Sequence, residues 1–140
     1  MDPDEVAERF AQCRISHADW THQAHLVVGL WHVHRFGAEK ALELLRQGIR
    51  RLNDSHGTPN SVTRGYHETI TRAYVLLLAQ FLAAGRADAP LRERTAELLA
   101  GPLADKDALL RFYSRERLMS PEARAEWVAP DIAGADLSVG

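Results

Sequence analysis

Cysteine is almost missing from this chain: Cys13 is the only one. That excludes an intramolecular disulfide and a cysteine-based zinc site, and a lone thiol suits a reducing compartment. Clustered positive charge is missing as well. Lys and Arg number 17 against 19 Asp and Glu, for a formal net charge of −2, so nothing pulls the chain toward nucleic acid or an anionic membrane. No long apolar run exists, since the longest, Ala73 to Ala84, is interrupted by Gln80 and is too short to span a bilayer. The start, Met1-Asp2-Pro3-Asp4-Glu5, has neither the basic nor the apolar region of a signal peptide. A cytoplasmic protein is expected. β-branched residues nowhere gather into alternating runs, so strands are not expected.

What is present is helical periodicity. A chain of 140 residues with 46% hydrophobic and 26% charged residues fits a single globular domain with one core. Asp2-Pro3-Asp4-Glu5 reads as a capped start to a helix running to about Cys13. Thr21 is an N-cap for a second helix through Phe36, closed by Gly37. A third spans about Ala38 to Leu52, with Ala41, Leu42, Leu45 and Ile49 at helical spacing. Residues 53–60 are dense in turn formers and form a loop. Asn60 or Ser61 then opens a long helix to about Ala84, ended by Gly85. Asp88 and Pro90 start another that stops at Gly101-Pro102. A short helix covers about Asp107 to Tyr113, and Ser120-Pro121-Glu122 caps a last one through Trp127, ended by Pro130. The remaining tail is expected to be extended over the surface or frayed. The fold class is all-α, a compact bundle of four or five main helices.

Two of these helices carry the chemistry. On the second, His22, His25, Gly29, His32, Val33 and Phe36 share one stripe, and the other faces are also apolar, so the helix is central. Gly29 costs up to about 1 kcal/mol of helix propensity, which is reasonable if a backbone or a ligand approaches closely. On the long helix His67, Thr71, Tyr74, Leu78 and Phe81 form a stripe, with Glu68 on its flank. Packing the two stripes together sets His67 beside His22 and His25. Three imidazoles around one point can hold a divalent ion with a position left open, and zinc, nickel, copper and iron are all compatible. Each residue also has a structural reading. Buried histidines are commonly satisfied core residues, Glu68 can pair with Arg72 one turn on, and Trp31 and Tyr74 can be plain core. His17, His34 and His56 read as loop or flank residues, and His32 is a reserve ligand.

The segments Trp20-Thr21-His22-Gln23-Ala24-His25-Leu26 and Gly65-Tyr66-His67-Glu68-Thr69-Ile70-Thr71, with Asn53 to Gly57, Pro59-Asn60 and the tail from Phe112 to Asp131, together cover most of the chain. In them it resembles a family of small, uncharacterised bacterial proteins marked by W-T-H-x-A-H-L and G-Y-H-E-T-x-T motifs. The resemblance implies that His22, His25, His67 and Glu68 belong to a shared signature; it implies no particular activity.

The expectation that follows is a small metalloprotein, acting as an enzyme on a small organic molecule. His22, His25 and His67 hold the metal, and His67 and Glu68 are the catalytic groups, with Glu68 as base. Trp20, Thr71 and Tyr74 line the substrate pocket. A metal-free alternative has His67 with Glu68 or His22 shuttling protons, with Arg115 and Arg117 either binding an anionic substrate group or forming a solvated face. A third is a non-enzymatic binding or interaction module with a polar core, in which Trp127 and Val128 offer an apolar face for a homodimer.

Overall fold

Every regular element among the described residues (1–132, 134 and 137) of the computed structural model is helical, and no strand occurs among them. α1 (Pro3–Ala11) starts where the Asp2 carboxylate accepts from the Asp4 N–H at 3.0 Å. α2 (His22–Phe36) starts where the Thr21 hydroxyl accepts from Ala24 N–H at 3.2 Å, and it ends at Gly37, whose φ of 81° suits a residue without Cβ. α3 (Ala38–Ser55) follows at once, then α4 (Glu68–Ala83) and α5 (Leu91–Ala100). Beyond α5 come two 3-10 turns, Pro102–Ala104 and Ala108–Arg111, and two short helices, α6 (Arg115–Leu118) and α7 (Pro121–Ala125), capped by Ser114 and Ser120.

α2 is the hub, in contact with α1, α3, α4 and α5. Val27, Val28 and Leu30 on it have no exposed surface, as an all-round apolar helix requires. The core has two parts. One, around Leu26, Val28, Leu45, Leu52 and Leu78, joins α1, α2, α3, α4 and α5. The other, around Ala73, Leu77, Leu109, Tyr113, Leu118 and Leu137, joins α4 to the C-terminal segment. Tyr74 and Leu103 pack against both, so α4 forms the seam.

The helix ends differ from expectation in one way that matters for function. α4 starts at Glu68, seven residues later than Ser61. The Asn60 side-chain oxygen accepts from the Tyr66 N–H at 3.0 Å and from the Asn53 amide at 3.1 Å. Ser61 N–H donates to Arg64 O at 2.9 Å, and Gly65 sits at φ 83°, where a Cβ would collide with Pro59 O and Asn60. These bonds fold residues 60–66 into a turn, and His67 becomes the N-cap instead of an interior helical residue.

The C-terminal expectations also need correction. The last helix stops at Ala125, α6 precedes it, and the stretch expected as a helix over 107–113 is a 3-10 turn. The chain from Glu126 to Ile132 is tied down. Thr69 Oγ1 donates to Glu126 O at 2.9 Å and accepts from Val128 N–H at 3.1 Å, Tyr113 OH donates to Val128 O at 2.7 Å, and Ile132 N–H donates to Phe112 O at 3.1 Å. Trp127 lies half-buried under the Arg72 guanidinium, 4.9 Å from the ring centre, and edge-on to Tyr113. Trp127 and Val128 thus pack onto their own chain. No helix among the described residues is long and apolar enough to cross a membrane.

Candidate functional site

A pocket of about 380 Å³ opens at the seam between the two parts of the core, within the size range of small-molecule sites. α2 and the residue before its cap contribute Trp20, His22, His25 and Gly29; α3 contributes Leu45 and Ile49; α4 contributes Ile70, Thr71, Tyr74 and Leu78. The fourth wall is the C-terminal segment, with Leu109, Leu110 and Leu118, and with Lys106, Asp107, Arg115 and Met119 exposed. Gly29 matters here for a local reason. A Cβ on it would come within 2.8 Å of the Leu78 Cδ1, so the glycine lets α4 lie close against α2 beside the cavity.

His22 and His25 stand one turn apart on α2, and each has spent one ring nitrogen. His25 Nδ1 lies 2.7 Å from Thr21 O, and His22 Nε2 lies 2.8 Å from Leu103 O. A carbonyl only accepts, so each of these nitrogens carries the proton and donates. In the neutral ring the other nitrogen, His25 Nε2 or His22 Nδ1, is then a lone pair, and neither has a hydrogen-bond partner among the described residues. His25 is stacked on Trp20 with ring centres 3.7 Å apart, and Trp20 is stacked in turn on Phe10 at 5.5 Å. His25 borders the pocket, with the Trp20 ring covering one of its faces, and keeps a solvent-exposed surface. Desolvation by the residues packed around the ring lowers its pKa to about 4, against a partial offset from the Thr21 carbonyl, with His22 nearby lowering it further. The ring is neutral at physiological pH. His22 meets Tyr74 edge-on at 5.5 Å, and burial together with Asp105 and Asp107 pushes the Tyr74 phenol up to about 12, so it stays protonated.

His67 is elsewhere. Its Nδ1 accepts from Ile70 N–H at 3.1 Å and its Nε2 donates to Leu118 O at 2.6 Å. Both nitrogens are committed, and the ring is not part of the pocket wall. The expected convergence of His22, His25 and His67 assumed that His67 lies within the helix; as N-cap its side chain folds back over the first turn instead. Among the described residues no group of three or more His, Cys, Asp or Glu is placed to hold a metal ion. Burial lowers the His67 pKa, with the Leu118 carbonyl opposing and Arg124 assisting.

Glu68 is also outside the pocket wall. Its carboxylate accepts a two-point contact from Arg46 on α3, with Arg46 Nε at 2.8 and 3.1 Å, and a bond from Tyr66 OH at 2.7 Å. Arg72, its expected partner, stacks on Trp127 instead. Burial would raise the Glu68 pKa, but the bonds from Arg46 and Tyr66 outweigh it and hold the carboxylate below its usual range. A carboxylate so engaged is a weak base.

The remaining histidines have structural partners or are exposed. His32 is buried, bonds Val28 O at 2.7 Å through Nδ1, and sits edge-on to Phe10 and Trp31. His56 bonds Ile15 O at 2.7 Å and meets His17 edge-on; His34 is exposed. Arg117 Nε donates to Ala129 O at 2.7 Å, a tie for the tail. Arg115 alone of the arginine pair reaches the pocket. Residues missed from sequence include Leu45, Ile49, Lys106, Asp107 and Met119. The last three lie in or beside 3-10 and turn structure, where a helical repeat carries no signal. Set against known proteins, the chain matches no family model, no curated protein and no solved structure.

Proposed function

We propose that this protein binds a small organic molecule in the seam pocket, and that His22 and His25 handle a proton of that molecule as general bases. One observation carries the reading. Two imidazoles one turn apart, each with its N–H spent on a backbone carbonyl, border an apolar cavity of about 380 Å³ with their second nitrogens unpartnered. Apolar walls with a few convergent polar groups are the usual make-up of a ligand site, and a bare imidazole nitrogen is the usual proton acceptor of acid–base catalysis. In this reading His67 and Glu68 support the site without touching the ligand.

The same pair of lone pairs favours a second reading, with a divalent ion in the pocket. His22 Nδ1 and His25 Nε2 would be its protein nitrogens, with water or ligand completing its shell and polarising bound substrate as the chemistry supplied. The two readings separate in one NMR experiment. Titration with toluene, a neutral probe small enough for the cavity, is expected to shift the amide signals of Gly29, Thr71 and Leu78. Shifts confined to exposed residues, or none, would end the pocket reading. Zinc added alone, without a probe, is expected to leave the ring signals of His22 and His25 unmoved; their joint loss or shift at stoichiometric zinc would replace the metal-free reading with the metal-bound one.

A further inference from the structure

The pocket wall holds hydrogen-bond donors beside its acceptors. Next to the lone pairs of His22 Nδ1 and His25 Nε2 stand four donors with no hydrogen-bond partner among the described residues: Tyr74 OH, Trp20 Nε1–H, Lys106 and Arg115. Two of these groups meet as donor and acceptor on half-buried residues. The Tyr74 ring on α4 lies edge-on to the His22 ring on α2, with centres 5.5 Å apart and 61° between planes. The Tyr74 oxygen is not sealed in. Among the described residues the enclosed side-chain polar atoms without a partner are His56 Nδ1 and Arg94 Nε, neither of them in this wall. Burial, with Asp105 and Asp107 nearby, keeps the phenol protonated, so it is a donor without charge.

We infer that Tyr74 is a catalytic residue of this pocket, donating its O–H to a carbonyl oxygen of an enolisable ketone while His22 Nδ1 takes a proton from the carbon beside that carbonyl. This inference rests on the pocket reading above and names its substrate class. An imidazole lone pair removes a proton from carbon only where the electron pair left behind has somewhere to go. A carbonyl one bond away takes it. The C–H bond breaks, a carbon–carbon double bond forms, and the carbonyl π electrons move onto oxygen. The Tyr74 O–H holds the charge on that oxygen and keeps its own proton. His22 then returns its proton to the same carbon, or to a further carbon where the enolate is conjugated, so nothing is oxidised or reduced. A donor and a lone pair side by side suit a group that offers an acceptor atom and, one bond away, a proton to give.

Two probes of one shape test this, indane and its ketone 2-indanone, each titrated by NMR against the full chain and its Tyr74→Phe variant. Phenylalanine keeps the ring and removes only a hydroxyl that has no partner among the described residues. Tyr74→Phe is expected to weaken 2-indanone about three- to tenfold, the return on one hydrogen bond, and to leave indane unchanged. In deuterium oxide the full chain should exchange the protons beside the 2-indanone carbonyl faster than buffer does. Tyr74→Phe should slow that exchange about hundredfold, and His22→Gln should abolish it while 2-indanone still binds. Equal binding of 2-indanone to the parent and Tyr74→Phe overturns the inference and leaves the pocket reading standing. So does exchange no faster than in buffer, or exchange that survives in His22→Gln. Loss of 2-indanone binding in Lys106→Gln or Arg115→Gln, with Tyr74→Phe silent, overturns it by giving the donor role to a cation. Failure of both probes, indane included, overturns the pocket reading and this inference together.

Discussion

Two short stretches, 20–26 and 65–71, each carry histidines on what a helical repeat marks as an inner face, yet the fold uses them in opposite ways. In the first, His22 and His25 each keep one nitrogen unpartnered beside a cavity. In the second, Tyr66, His67, Glu68 and Thr69 are all buried, and each polar side chain is bonded to another part of the chain: Glu68 to Arg46 and Tyr66, His67 to Leu118, Thr69 to Glu126 and Val128. These partners lie between 22 and 59 residues away, apart from Tyr66. The 65–71 stretch is thus a polar clamp that holds α3, α6 and the tail against α4. The general lesson is that a buried polar residue is read by what its atoms have left to give. A group with no free donor or acceptor contributes stability and specificity, whereas one with a spare lone pair facing a cavity is available for a ligand.

The comparison can be broken most severely at the clamp. His67→Ala removes an N-cap and the bond to Leu118 O and leaves a void, so a loss of about 2–4 kcal/mol is expected in denaturant unfolding. His67→Asn restores the cap and should recover part of that loss, to about 1–2 kcal/mol. If His67→Ala were as stable as the parent, the clamp would not exist. Glu68→Gln comes next. It loses the charge-assisted bonds from Arg46, but the half-exposed Arg46 can regain water, so about 1–2 kcal/mol is expected instead of the full cost of an orphaned buried charge. A change of a few tenths, the size of a surface helix pair, would restore Arg72 as its partner.

Acid should act on both stretches with a definite sign. His25, His32 and His67 have lower proton affinity folded than at their ordinary value of 6.5. The unfolded chain therefore takes up more protons below that pH, and stability present above about pH 6.5 is lost as the pH falls from there toward the folded values. Glu68, depressed below 4.5 in the fold, adds a further loss that begins only beneath that value. Urea midpoints measured from pH 8 to pH 4 should fall continuously below about 6.5; a flat profile across that window contradicts neutral, desolvated imidazoles. The smallest effect is expected at the pocket. His25→Phe keeps the ring stack and should change stability by less than about 1 kcal/mol, although it alters ligand binding. A large loss there would make His25 one more structural residue.

Sequence legibility follows the same division. α2 could be read with its cap at Thr21 and its stop at Gly37, because caps, glycine and an apolar repeat are local signals. The places of His22 and His25, with Trp20 just before the cap, follow from that register, those of Thr71 and Tyr74 from the repeat along α4, and all five border the pocket. The role of His67 could not be read, because it depends on a turn closed by Asn60 and Gly65 and on a carbonyl 51 residues further along. Glu68 illustrates the competing rule. The local partner at one helical turn lost to Arg46, which offers two donors in a fixed fork from a neighbouring helix.

The most direct test is one nitrogen-15 NMR experiment on the imidazoles of the parent protein, recorded with and without saturating toluene. Without the probe, His25 is expected as the Nδ1–H form with a free Nε2, and His67 as the Nε2–H form with a bonded Nδ1. On adding the probe, the His25 and His22 signals should move and those of His67 should not. A probe that moves His67 as much as His25, or that leaves His22 and His25 unchanged while bound, would contradict the division between an open α2 site and a closed clamp.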